Sequence, residues 1–163
     1  MSNAAAMADT HNIVVDEVFP HTPEVLWKTL TTGELISRWL MTPNGFEPTE
    51  GNHFTFQTPP DGEWDGVIRC EVLEVRPNER LVYAWRTGNQ TGAGYVPRLD
   101  TVVTWTLNPV DGGARLRLVH SGFLSPKNDA VFRNISEGWP KLIQKLRAVV
   151  GEQDASKSET PQG

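Results

Sequence analysis

The stretch Thr101 to His120, TVVTWTLNPVDGGARLRLVH, decides the fold. Val103, Trp105 and Leu107 alternate with Thr104 and Thr106, and beyond the break Leu116, Leu118 and His120 alternate with Arg115, Arg117 and Val119. A period of two belongs to extended strands, whose successive side chains point to opposite faces. Between the two runs stands Asp111-Gly112-Gly113, where glycine supplies positive φ. So short a turn joins antiparallel neighbours only, because a parallel crossover takes about a dozen residues or more.

Working outward, the same period holds from Gly51 to Phe123. His53 to Thr58, Trp64 to Val75 and Leu81 to Thr87 precede the two runs above, with breaks at Pro59-Pro60-Asp61-Gly62 and Pro77-Asn78. That makes five strands in an antiparallel meander. Upstream, Ile13 to Phe19 is rich in β-branched residues and ends at Pro20, so it reads as a first strand. Thr22-Pro23-Glu24 then offers a cap hydroxyl, a proline for the first helical position and an acid near the positive end of the dipole. The helix it opens carries Val25, Leu26, Trp27 and Leu30; Gly33 separates it from a second short pattern, Leu35, Ile36, Trp39 and Leu40. After Pro126 the period becomes helical, with Phe132, Ile135, Trp139, Leu142, Ile143, Leu146 and Val149 on one stripe. Pro140 lies inside that helix and predicts a kink or a restart next to Gly138. The expected architecture is α+β: a six-stranded curved antiparallel sheet, two short helices after the first strand, and a long C-terminal helix across the concave face. A curved sheet and a straight rod leave a gap between them, filled by large side chains or kept as a pocket.

At 163 residues the chain has room for one domain, expected over residues 11–150. Residues 1–10 read as an expression scar and a flexible start, and residues 151–163, nearly devoid of apolar side chains, as a disordered tail. Fifteen Lys and Arg against twenty Asp and Glu give a net charge of −5, which argues against nucleic acid as a partner. No apolar run approaches the ~20 residues of a membrane span, and no signal-peptide pattern opens the chain. The single Cys70 closes no internal disulfide, and no Cys/His set offers four zinc ligands, so a reduced, cytoplasmic protein without metal or cofactor is expected. Nothing in the sequence sets the oligomeric state. Asp61, Glu63, Asp65 and Gly66 imitate half a calcium loop, but Val72 stands where the bidentate Glu is needed, so the cluster reads as a solvated hairpin tip. Gly88, Gly92 and Gly94 form a glycine-rich loop that no Lys-Ser/Thr follows, which suits a lid better than a phosphate cradle.

Several segments together resemble one superfamily. They are Val25-Leu26-Trp27-Lys28-Thr29-Leu30 with Ile36-Ser37-Arg38-Trp39, Val72 through Leu81 running into Val82-Tyr83-Ala84-Trp85, Leu116 through Gly122-Phe123, and Gly138-Trp139. The chain resembles the SRPBCC (START-like, birch-pollen-allergen-like) proteins, in the branch named for the C-terminal domain of the heat-shock-protein-90 ATPase activator. The resemblance spans nearly the whole domain. It implies the helix-grip fold, which agrees with the architecture read from periodicity, and a cavity for a hydrophobic small molecule. Carriers, hormone sensors, cyclases and chaperone regulators all use this fold, so function rests on the site.

Six tryptophans stand at 27, 39, 64, 85, 105 and 139, several of them on one face by strand parity. One reading is a pocket lined by Trp39, Phe54, Phe56, Trp85, Trp105, Phe132 and Trp139; the other is that these rings fill the core. As a set they favour the pocket. His120 is expected to point inward, either to hydrogen-bond a ligand or as a core histidine satisfied by backbone or by a tryptophan N–H. Ser121, on the opposite face, cannot form a nucleophile pair with it. Arg69 and Glu71 read as surface pairing, and Cys70 between them as a buried apolar filler.

Three functions compete. The first is non-catalytic binding of a small, mostly apolar molecule between sheet and last helix. The second is a chaperone ATPase activator-like interaction, for which Lys141, Lys145 and Arg147 are expected on the outer side of that helix. The third is a cyclase or hydrolase using the same cavity, for which His120 is the one acid–base candidate.

Overall fold

The computed structural model describes residues 10–58, 66–89, 96–125 and 128–159. The hairpin read from Thr101 to His120 forms and is longer at both ends: β6 (Val96–Val110) and β7 (Gly113–Leu124) pair antiparallel, with Trp105 opposite Leu118 and Val103 opposite His120. The rest of the meander is β3 (His53–Gln57), β4 (Val67–Arg76) and β5 (Arg80–Asn89). β1 (Thr10–Phe19) leaves this meander for α1 (Pro23–Thr31) and α2 (Gly33–Trp39). With a short β2 (Pro43–Asn44) at the far edge, the sheet order is β1-β7-β6-β5-β4-β3-β2, so the first strand pairs with the last. Seven strands replace the expected six. The extra one, β2 (Pro43–Asn44), pairs with Phe56 and Thr55, and two residues are too few to carry a period.

Local chemistry fixes the ends. The Thr22 hydroxyl accepts the Val25 amide at 3.3 Å and Pro23 occupies the first helical turn, as the sequence implied. Gly113 lets β7 meet the end of β1: a Cβ there would stand 1.9 Å from the Phe19 carbonyl oxygen. Gly122 has φ +103 and is the unpaired extra residue between Ser121, opposite Asn12, and Phe123, opposite His11. This bulge shifts parity by one, so that His120 and Phe123 both turn inward, each 0% exposed.

α3 (Asp129–Glu159) closes the concave face. Its stripe is the one expected: Trp139, Ile143, Leu146, Val149 and Val150 are buried, with Phe132, Ile135 and Leu142 packed beside them. The helix is continuous through Pro140, so the restart at Gly138 does not occur. It also runs on to Glu159, where composition pointed to a disordered tail from residue 151. Buried Val149 and Val150 and an Arg38–Glu152 ion pair to α2 anchor that extension at its start. Arg147 is a further correction. It does not stand on the outer side with Lys141 and Lys145; its guanidinium lies 4.1 Å over the Phe19 ring and 2.5 Å from Glu17 of β1. The acidic hairpin tip (Asp61 to Asp65), Trp64 and residues 90–94 of the glycine-rich segment lie outside the described residues, as do residues 1–9 and 160–163.

Candidate ligand-binding site

Parity along three adjacent strands builds the site. β5 directs Tyr83 and Trp85 inward, β6 directs Thr101, Val103 and Trp105, and β7 directs Leu116, Leu118 and His120, none more than 5% exposed. β3 adds Phe54 and Phe56, α2 ends on Trp39, and α3 lowers Trp139 into the middle. The rings touch in one unbroken set. Trp105 meets Trp39 and Trp139 edge-to-face with centroids 5.6 Å apart, and Trp85 lies 6.0 Å from Trp139, 5.9 Å from Phe56 and 5.3 Å from His120. Phe54 links Phe56, Tyr83 and Phe46. From His120 the contacts continue through Phe123 to Phe132 and His11. All eight residues expected at a site, Trp39, Phe54, Phe56, Trp85, Trp105, His120, Phe132 and Trp139, thus belong to a single ring network. Seven of them are buried, and Phe132 forms its half-buried end.

Hydrogen bonds order this network. Trp39 Nε1 donates to the Thr29 carbonyl at 3.2 Å, which ties α2 to α1, and Trp105 Nε1 donates to the Tyr83 hydroxyl oxygen at 3.1 Å. Trp139 Nε1 lies 3.0 Å from His120 Nδ1, and His120 Nε2 lies 2.8 Å from Thr101 Oγ1, itself 2.8 Å from the Trp85 carbonyl oxygen. An indole N–H only donates, so Nδ1 must present its lone pair and the imidazole proton must sit on Nε2. The chain then reads in one direction: Trp139 N–H to Nδ1, Nε2–H to Thr101 Oγ1, Thr101 O–H to the Trp85 carbonyl. A second proton would set Nδ1–H against the indole N–H, and burial independently pushes the imidazole down to about 3. His120 is therefore neutral, with both ring nitrogens taken by protein partners.

The other buried titratable groups are neutral too. Desolvation raises the Tyr83 phenol and pushes the Cys70 thiol up to about 12, with Arg86 pulling the latter weakly the other way. Cys70 pairs across from Trp85 and is the buried filler expected. Among the described residues no three His, Cys, Asp or Glu gather as metal ligands, and no helix is long and apolar enough to cross a membrane.

Described residues line at least two clefts. One of about 630 Å³ lies at the turn end of the sheet, between Pro20–Glu24, Asn78, Glu79 and Val110, and touches none of the expected site residues. The other, about 380 Å³, opens on Phe132 and His11, flanked by Asp129, Arg133, Ser136 and Glu137 of α3. It meets the outer end of the ring network. Reasoning from sequence missed Thr101, Tyr83 and Phe123. Tyr83 shares the parity of Trp85 and was open to the same argument; Thr101 and Phe123 depend on register and on the Gly122 bulge.

Residues 20–151 match the family model described as Activator of Hsp90 ATPase homolog 1-like protein. Among solved structures the chain is similar to protein MLL2253 of Mesorhizobium loti, at 37% identity and TM-score 0.74, over 87% of this chain and 98% of that one. It shares its fold with protein BH1534 of Bacillus halodurans, at 23% identity and TM-score 0.67 over 86% and 96% of the two chains. The Aha1 dimer from Colwellia psychrerythraea shares it too, at 16% identity and TM-score 0.67 over 86% and 96%. No curated protein matches the sequence.

Proposed function

We propose a function from one premise: the chain belongs to the Activator of Hsp90 ATPase homolog 1-like family. Within it, the protein binds a small, mostly apolar molecule between the concave face and α3 and does not transform it. The chemistry of that face carries the reading. Its wall is a continuous set of rings, and its buried titratable groups, Cys70, Tyr83 and His120, are all uncharged at neutral pH. Such a wall can hold flat apolar matter and has no proton to exchange with it. Entry runs from the Phe132 cleft along Phe123 and His120 toward Trp85 and Trp139, each parted ring contact costing about 0.5–1.5 kcal/mol. The lone buried thiol suits a reducing, cytoplasmic compartment.

Titration with 1-anilinonaphthalene-8-sulfonate and with neutral polycyclic hydrocarbons, read by tryptophan quenching, tests this. Saturable quenching at micromolar probe is expected, and its absence for every probe overturns the proposal. A second reading, contact with a chaperone ATPase, draws on Lys141 and Lys145, exposed one turn apart on α3. It predicts that the unmodified protein stimulates a purified chaperone ATPase and that the K141E/K145E double variant does not.

A further inference from the structure

The ring network leaves two buried donors without acceptors among the described residues. The first is Trp85 Nε1–H: of the four indoles in the network, those of Trp39, Trp105 and Trp139 each donate to a protein acceptor and that of Trp85 does not. The second is the Tyr83 hydroxyl proton. Its oxygen accepts from Trp105, and its own hydrogen is donated to nothing described. Trp85 is 5% exposed and Tyr83 4%, so neither donor is satisfied by bulk solvent. Both come from alternate positions of β5 on the face that meets α3, in a structure that otherwise pairs its buried polar atoms closely, as the Trp139–His120–Thr101–Trp85 relay shows. Buried donors are left unmet where something other than the chain supplies the acceptor.

We infer that Tyr83 O–H and Trp85 Nε1–H are ligand-facing donors for neutral oxygen acceptors, carbonyls above all, carried by an otherwise apolar planar ligand. This rests on the reading of the concave face as a ligand site and names what that ligand must bring. Neutrality follows from the surroundings: the rings around Tyr83 and Trp85 are Phe54, Phe56, Trp105, Trp139 and an uncharged His120, and among the described residues no buried cation stands there to offset a carboxylate.

The test uses two probes of nearly equal shape, fluorenone with its carbonyl and fluorene with a methylene in its place. The native protein is expected to bind fluorenone at least tenfold more tightly than fluorene. Y83F combined with the sulfur isostere 3-benzothienylalanine at Trp105, which removes the Tyr83 donor without freeing the indole N–H that the Tyr83 oxygen accepts, is expected to weaken fluorenone about tenfold and leave fluorene unchanged. Replacing Trp85 by the sulfur isostere 3-benzothienylalanine, which keeps the ring and loses the N–H, should do the same. In the infrared, the carbonyl stretch of bound fluorenone should lie at lower wavenumber in the native protein than in either variant. Equal binding of the two probes, or variants that weaken both alike, would overturn the donor assignment while leaving apolar binding in place; that is also the result if buried waters satisfy both donors. Failure of both probes to bind overturns the underlying reading together with the inference.

Discussion

Acid should destabilise this protein through His120, by an amount that follows from how far burial lowers its imidazole. In the unfolded chain an imidazole titrates near about 6.5, whereas burial holds that of His120 down to about 3 in the fold. The unfolded state therefore binds the extra proton first, so the contribution of His120 is fully present above about pH 6.5 and is lost as pH falls from there toward 3. The slope across that window approaches about 1.4 kcal/mol per pH unit, and between pH 7.5 and 4.5 the integrated loss is about 3 kcal/mol. Urea unfolding followed by tryptophan emission at several pH values measures it. The comparison is with H120N, which keeps polar atoms near Trp139 and Thr101 and does not titrate. All other groups cancel in the difference between the two pH profiles, leaving that of His120. If the native protein and H120N lose stability in parallel over this window, His120 is not locked as the neutral Nε2–H tautomer, and the one-directional relay drawn from Trp139 to the Trp85 carbonyl is wrong. Ring nitrogen chemical shifts supply a second check: Nδ1 should appear unprotonated at pH 5.

Trp139→Phe should cost about 1–3 kcal/mol beyond the lost ring area, because it leaves His120 Nδ1 without its donor; equilibrium unfolding measures it. Gly113→Ala forces a methyl to within 1.9 Å of a backbone carbonyl and should destabilise by about 3 kcal/mol, while Gly138→Ala, in open space on α3, should stabilise by about 0.5–1 kcal/mol; paired thermal melts decide both signs. Cys70, raised to about 12 and buried, should resist a thiol-reactive disulfide reagent in the native protein at pH 8 and react stoichiometrically in guanidinium.

Much of this molecule was legible because strand parity follows from covalent geometry. Placing Trp105 with Val103 and Leu107, and His120 with Leu118, needed only a period of two, and all face inward. The helical stripe from Phe132 to Val149 was equally plain. What escaped depends on register, which a single chain does not display. Thr101 meets His120 only because β6 and β7 align Val103 with His120, and Phe123 joins it only because Gly122 adds one residue. β2 is too short for any pattern. Arg147 looked solvated because a charge on a helix usually is; its aliphatic stem and planar head instead cover Phe19. The helix past Gly151 is invisible to composition, since polar residues propagate a helix already nucleated by buried ones.

Trp39, Trp105, Trp139 and Trp85 follow one another at centroid separations of 5.6 to 6.0 Å. Transition dipoles that near couple, so the strong far-ultraviolet bands of the four indoles mix. Circular dichroism near 228 nm should show an exciton couplet whose size tracks their mutual tilt. The couplet is thus an optical gauge of their packing: any change that parts the indoles should alter it while the amide signal stays put.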